Sequence, residues 1–250
     1  MILIILGENL IQEYFDLKNI MDNAKHGVIY FSLGSNLKSK DFPERMLKDL
    51  LKLFGNLQQT VVWKFEESLP NKPANVHILK WAPQQSILGF SAHPNCILFI
   101  THGGMLSVTE AVHFSVPFVG LPVFYDQNFN VAKSVQRGIA KKVALSMNLA
   151  EDLRDAIQEM LNNNTYNEAM KETSFVYHDR VPPGKELVHW IEHVVRTNGA
   201  SHYRSTALLL SWYQKMYLDF IIMIFGFVCL FVYLIKYLCN KSKVQKIKSS

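Results

Sequence analysis

An apolar run, CILFI at 96–100, delivers the chain into Thr101-His102-Gly103-Gly104, and a helical pattern begins there. Two glycines where a strand gives way to a helix let backbone N–H groups come close to a phosphate. The positive end of the helix dipole then points at the same place. His102 adds a donor to such a site and Ser107 a hydroxyl one turn along. Glu110 follows about one turn further on the same face, where a carboxylate suits ribose hydroxyls rather than phosphate oxygens. A glycine turn between strand and helix is also a common structural device, so the motif alone leaves both readings open. A dinucleotide fold of the nicotinamide or flavin type wants GxGxxG after its first strand, and FSLGSN at 31–36 has only Gly34. The run HWIEH at 189–193 spaces two histidines one helical turn apart. It lacks the metalloprotease order and any third ligand, so no metal is expected there, and a helix surface facing solvent or headgroups is the reading.

The elements that must position these residues alternate in type. VIYFSL (28–33), TVVWKF (60–65), VHILKW (76–81), CILFI (96–100) and FVGLPV (118–123) read as strands, several without polar alternation. Strands apolar on both faces belong to a parallel sheet covered by helices. Helical patterns intervene at about 41–54, with Asp41 as N-cap and Pro43 in the first turn, and at 84–90, 104–114 and 127–137. The fold class is therefore α/β, a Rossmann-like doubly wound parallel sheet, with its ligand site expected at the carboxyl ends of the strands. After about residue 148 the pattern turns helical, at 149–163, 164–178 and 183–197, with Pro182, Pro183 and Gly184 marking the last junction.

With 250 residues, 49% apolar and 19% charged, the chain has room for one sizeable domain plus attachments. The formal net charge of +5 is carried by Lys236, Lys241, Lys243, Lys246 and Lys248, all beyond the last acidic residue, Asp219, which leaves residues 1–219 formally neutral. A phosphate-backbone binder needs clustered cations on its folded domain, so no nucleic-acid partner is expected. Residues 220–235, FIIMIFGFVCLFVYLI, contain no charge, and the stretch to Cys239 adds only Lys236. Twenty helical residues rise ~30 Å, the thickness of a bilayer's hydrocarbon core, so a C-terminal transmembrane helix is expected at 218–239. Trp212, Tyr213 and Tyr217 on one side, and Tyr233 and Tyr237 on the other, suit the two interfaces. Lysine-rich residues 240–250 belong in the cytosol by the positive-inside rule, with everything before the span on the other side. Lys248 and Lys246, third and fifth from the end, resemble the dilysine signal that retrieves single-pass type I proteins to the endoplasmic reticulum membrane. MILIILGENL lacks the basic start and the length of a signal peptide, which leads to the expectation that the chain begins mid-protein. Cys96, Cys229 and Cys239 are too few for a disulfide framework and read as buried or lipid-adjacent thiols.

Several ordered motifs together resemble the UDP-glycosyltransferase family, which includes the UDP-glucuronosyltransferases and the insect UDP-glucosyltransferases. They are WxPQ at 81–84, HP at 93–94, FITHGG at 99–104, EA at 110–111, VP at 116–117, LPVFYDQ at 121–127 and Asn130, with FSLGS at 31–35 as the opening strand. The resemblance runs from about residue 10 to the carboxyl terminus. It implies the C-terminal lobe of a GT-B glycosyltransferase, with residues 1–26 a remnant of the interlobe region, 27–198 the UDP-sugar (donor) binding domain and 199–217 a membrane-proximal segment. Trp81 would stack on uracil, the backbone of Ala82 would bond the base, and Gln84 and Glu110 would hold the ribose. Ser35, His102, Gly104 and Ser107 would bind the diphosphate, on which charge builds as the glycosidic bond breaks. Asp126 and Gln127 would bond the sugar hydroxyls.

The implied reaction moves glucose or glucuronic acid from UDP-glucose or UDP-glucuronic acid to a hydroxyl of a small lipophilic acceptor, with inversion, as in detoxification. No cofactor is implied beyond the UDP-sugar co-substrate. Assembly as a homo- or hetero-oligomer with related transferases stays open. The family's general base is a histidine of the N-terminal lobe, outside these residues, so no catalytic residue is expected in this chain and the piece alone is expected to be inactive. The alternative is a non-catalytic, membrane-anchored UDP-sugar-binding or regulatory partner of full-length relatives. Two departures stand out. Leu106 replaces the asparagine of many members, and Ser115 stands where glycine usually precedes the valine-proline pair, a change expected to affect packing more than chemistry.

Overall fold

The computed structural model describes residues 8–35, 41–89 and 95–248. The His93-Pro94 pair, the first seven residues and the last two lie outside the described residues. Two compact units divide the chain, Met1–Arg180 and Val181–Ser250.

In the first unit the order is α1 (Glu8–Asp22), β1 (Val28–Ser32), α2 (Glu44–Gly55), β2 (Thr60–Lys64), β3 (Val76–Leu79), α3 (Gln84–Leu88) and β4 (Cys96–Thr101). There follow α4 (Met105–His113), β5 (Phe118–Gly120), α5 (Gln127–Gln136), β6 (Ala140–Lys142), α6 (Leu149–Asn162) and α7 (Thr165–His178). The six strands are parallel and lie in the order β3-β2-β1-β4-β5-β6. From β1 the chain winds one way to β2 and β3, and from β4 the other way to β5 and β6. The crevice outside the carboxyl ends of β1 and β4 is thus the topological switch point, where doubly wound sheets bind ligands.

All five residues of β1 are buried, and they alternate between two cores. Ile29 and Phe31 join a cluster with Leu50, Phe54 and Trp63 beneath α2 and α6, while Val28 and Tyr30 join Leu17, Phe99, Ala111 and Met170 beneath α1, α4 and α7. A strand buried at every position can be satisfied only by helices on both faces, which is the architecture found. Cys96 sits in the second cluster, where burial pushes its thiol up to about 12, a structural rather than a reactive cysteine.

Differences from the sequence expectations are local. α2 begins at Glu44 with Pro43 as its N-cap, three residues beyond Asp41, because a proline there fixes the turn without donating an N–H. β5 stops at Gly120, since Pro122 cannot supply a ladder donor. β6, Ala-Lys-Lys, escapes pattern reading because it is short and carries the lysines that blunt a sheet edge. Residues 8–22, without an assigned structure in the sequence reading, form α1, which buries Leu17 and Met21 against the sheet.

Ser115 carries a strain that its sequence departure only hinted at. α4 ends with Ser115 N–H donating to Val112 and Val116 N–H to Ala111, a Schellman closure that needs a left-handed residue at Ser115, whose φ is 58°. A Cβ in that conformation costs ~1–2 kcal/mol. The Ser115 hydroxyl is also buried without a hydrogen-bond partner. Ser115→Gly removes both penalties and is expected to stabilise the protein by ~1–3 kcal/mol in equilibrium denaturation. A neutral or destabilising result would show that the serine is not strained.

In the second unit, α8 (Pro183–Arg196) is followed by 3-10 turns at Ser201–Tyr203 and Thr206–Leu208, then α9 (Trp212–Lys215) and α10 (Leu218–Lys248). Within α10 the 20 residues Leu218–Tyr237 have a mean hydropathy of 2.7 and are long and apolar enough to cross a membrane. The helix continues through the lysine-rich stretch to Lys248.

Candidate functional site

At the carboxyl ends of β1 and β4 lies an open cleft of about 680 Å³. Its lining unites eight residues that the sequence singled out: Ser35 after β1, Trp81, Ala82 and Gln84 between β3 and α3, and His102, Gly104, Ser107 and Glu110 from the β4–α4 junction. Segments some 75 residues apart in sequence meet here because β1 and β4 are neighbours in the sheet.

The β4–α4 turn is shaped by its glycines. Gly103 adopts φ 79°, and Gly104 occupies the N-cap of α4 without a side chain to cap it. The first-turn N–H groups of a helix have no intrahelical acceptor, so this tip presents donors and the positive dipole end to the cleft. His102 lies between two backbones. A Cβ on Gly34 would stand 2.7 Å from its Cε1, and one on Gly104 would stand 2.5 Å from its Nε2. The glycines are therefore what admit the imidazole.

Burial holds His102 below the usual imidazole range, while the Asp126 charge acts in the opposite direction. Because its folded value is depressed, the unfolded chain takes up the proton first. The stability this group contributes is full above the ordinary imidazole pKa and declines as pH falls below it towards the folded value. His77 and His113, depressed mainly by burial, act with the same sign. The chain of 250 residues is thus expected to lose stability between about pH 7 and pH 5, and His102→Gln to flatten part of that loss. An unchanged pH slope in the variant would remove His102 from the account.

The Trp81 indole, which lines the same cleft, is 71% exposed, so it is no core tryptophan. Ala82 beside it is buried. The Gln84 side-chain amide donates to Glu110 Oε2 at 2.6 Å and to Ser107 Oγ at 3.2 Å. Gln85 Nε2 donates to Glu110 Oε1 at 2.9 Å. Both carboxylate oxygens are thereby fixed, and each keeps lone-pair capacity for a ligand hydroxyl.

Asp126 and Gln127 do not line this cleft; they sit at the start of α5. Gln127 Oε1 accepts from the Val123 and Phe124 amides at 2.8 and 2.9 Å. Asp126 Oδ2 accepts from Asn130 Nδ2 at 2.7 Å, and the same Asn130 nitrogen donates to Gly103 O at 3.2 Å. The loop after β5 is thus tied to the glycine turn, and Asp126 stands close enough to His102 to act on it electrostatically.

Sequence reasoning missed Tyr30, Lys64 and Gln85. Lys64 is buried at the end of β2, where its Nζ donates to Gly34 O at 2.9 Å and pairs with Glu66 at 3.0 Å, bracing the turn that leads to Ser35. A charged residue ending an apolar strand was the available signal. Tyr30, stacked on Phe99, reaches Gln84 Oε1 at 3.5 Å, and burial keeps its phenol protonated well above the usual range. Among the described residues no group of three or more His, Cys, Asp or Glu is arranged to hold a metal ion.

The family model described as "UDP-glucoronosyl and UDP-glucosyl transferase" matches residues 12–249. UDP-glucosyltransferase 2 of Dactylopius coccus is 36% identical over 244 residues, covering 94% of this chain and 47% of the relative. UDP-glucuronosyltransferase 2A3 of Mus musculus is 35% identical over 224 residues, covering 89% of this chain and 40% of the relative. The chain spans about half the length of the curated relatives it matches. Among solved structures, the glycotransferase of kitacinnamycin superposes with a TM-score of 0.53 at 25% identity, over 61% of this chain and 39% of that one.

Proposed function

Since the chain belongs to the UDP-glucuronosyl and UDP-glucosyl transferase family and has the sheet of a GT-B glycosyltransferase domain, we propose that its cleft holds the UDP part of a UDP-sugar. The reaction is transfer of a hexose, glucose or glucuronic acid, to a hydroxyl of a small lipophilic acceptor with inversion. One observation carries the reading: an exposed indole, a carboxylate held by two glutamines and an uncapped glycine helix tip line the same cleft. Trp81 stacks on the uracil and the Ala82 backbone bonds it. Gln84 and Glu110 hold the ribose hydroxyls, and Ser35, His102, Gly104 and Ser107 hold the diphosphate. Fixed donors there stabilise the leaving group as the glycosidic bond breaks. Asp126 and Gln127 bond the sugar hydroxyls from the start of α5. None of the cleft residues is assigned as the general base, and the UDP-sugar is the only co-substrate needed besides the acceptor. α10 anchors the protein in the endoplasmic reticulum membrane, with the first unit on the lumenal side.

Calorimetric titration of the full chain in detergent with UDP, UDP-glucose, UDP-glucuronic acid and ADP tests this. UDP is expected to bind at one site and ADP at least about tenfold more weakly, because buried polar groups that match one base are left unpaired by another. No UDP binding, or equal binding of ADP, would sink the proposal.

A further inference from the structure

The stretch between the last helix of ordinary composition and the spanning helix is unusual. From His193 to Leu218 there is no acidic residue, and within residues 206–217, TALLLSWYQKMY, Lys215 is the lone charge. Leu208, Leu209 and Leu210 are all exposed, Leu209 at 86%, and so are Trp212, at 70%, Tyr213, Met216 and Tyr217. An apolar and aromatic surface this dense is not left to water in a stable protein.

The backbone is arranged to tolerate a poorly hydrated setting. The 3-10 turn pairs Leu208 and Leu209 N–H with Ser205 and Thr206 carbonyls at 3.0 and 2.9 Å. At the start of α9, Gln214 Oε1 accepts from both the Ser211 N–H at 3.1 Å and the Ser211 hydroxyl at 2.6 Å. The amides of Gln214, Lys215, Met216 and Tyr217 are also bonded within the segment. Groups paired in this way lose little on entering a low-dielectric interface. Tyr217 then takes a left-handed conformation, φ 55°, so α9 does not continue the axis of α10.

We infer that residues 206–217 form a membrane-interface platform, with Leu208–Leu210 and the Trp212, Tyr213 and Tyr217 rings seated at the headgroup–acyl boundary. The inference rests on the reading that α10 spans the bilayer. The occupant is lipid because of chain continuity. Trp212 precedes the first residue of α10 by only six positions, and six residues reach at most ~20 Å even when extended, which keeps its ring near the end of the span. Indole and phenol rings prefer that boundary, with an apolar body on one side and a polar tip on the other.

The test reconstitutes the full chain in phosphatidylcholine liposomes whose acyl chains are brominated either near the glycerol end or near the methyl end. Subtracting the emission of Trp212→Phe from that of the unaltered protein isolates the Trp212 signal. The shallow bromines are expected to quench it at least about twofold more than the deep ones. The variant Leu208→Ser, Leu209→Ser, Leu210→Ser is expected to lose most of that quenching. Trp212 emission insensitive to both lipids, in vesicles from which alkali does not extract the chain, overturns the platform while leaving α10 as a span. Extraction by alkali removes the span and the platform together. Quenching that survives in the leucine variant also overturns the platform, by assigning the depth of Trp212 to α10 alone. Quenching that disappears as protein density in the vesicle rises would make a second copy the occupant and overturn the lipid assignment.

Discussion

Trp81→Ala is expected to weaken UDP binding about 5- to 150-fold, which is the ~1–3 kcal/mol contributed by stacking a base on an aromatic face. The effect should be confined to binding. Trp81 is largely exposed and belongs to neither core cluster, so its removal leaves no cavity and the unfolding midpoint is expected to stay where it is. Trp81→Phe keeps a smaller flat face and should recover part of the loss. Calorimetry on the full chain reads both numbers. Unchanged UDP affinity in Trp81→Ala would remove the uracil platform, even if the phosphates still bind at the helix tip.

The largest expected effect on stability comes from a glycine that touches no ligand through a side chain. Gly103 has φ 79°, and a Cβ built on it would stand 2.3 Å from Val131 Cγ2. Gly103→Ala therefore combines left-handed strain with overpacking of a fully buried valine, for a loss of ~2–4 kcal/mol in denaturant unfolding. Val131 is also what a Cβ on Gly120 would meet, at 2.5 Å, so the valine is wedged between the ends of β4 and β5. In a Val131→Ala background the clash disappears and the strain remains. Gly103→Ala should then cost at least ~1 kcal/mol less than in the parent. Additive effects would show that the contact is not what excludes a side chain at Gly103.

These two residues illustrate different degrees of legibility. Trp81 was singled out by its WxPQ setting, and the structure adds that the ring stands free of the core and lines the cleft. Gly103 was readable as a turn glycine after an apolar strand, whereas its tight fit against Val131, 28 residues later, was not. Lys64 and Tyr30 were missed for the same reason. Each acts through a partner distant in sequence, Lys64 through Gly34 and Tyr30 through Gln84, and no local pattern encodes such a meeting. Ser115 lies between these cases: a serine at a glycine position was visible, but its left-handed φ and unpartnered hydroxyl were not.

What the residues determined by themselves is the class of fold and the chemistry of the glycine turn. Runs apolar on both faces require a covered parallel sheet, and a strand ending in His-Gly-Gly before a helix makes a donor-rich tip whatever surrounds it. The unbroken apolar stretch of α10 likewise needs no tertiary context to be long enough for a bilayer. Only the tertiary structure decided which of these features share a site. Strand order places β1 beside β4, which gathers Ser35, Trp81, His102 and Glu110 at one crevice and leaves Asp126 and Gln127 outside its lining, at the start of α5. Strand order depends on non-local pairing, whose energy comes from burying two faces at once, and periodicity along a single segment does not record it.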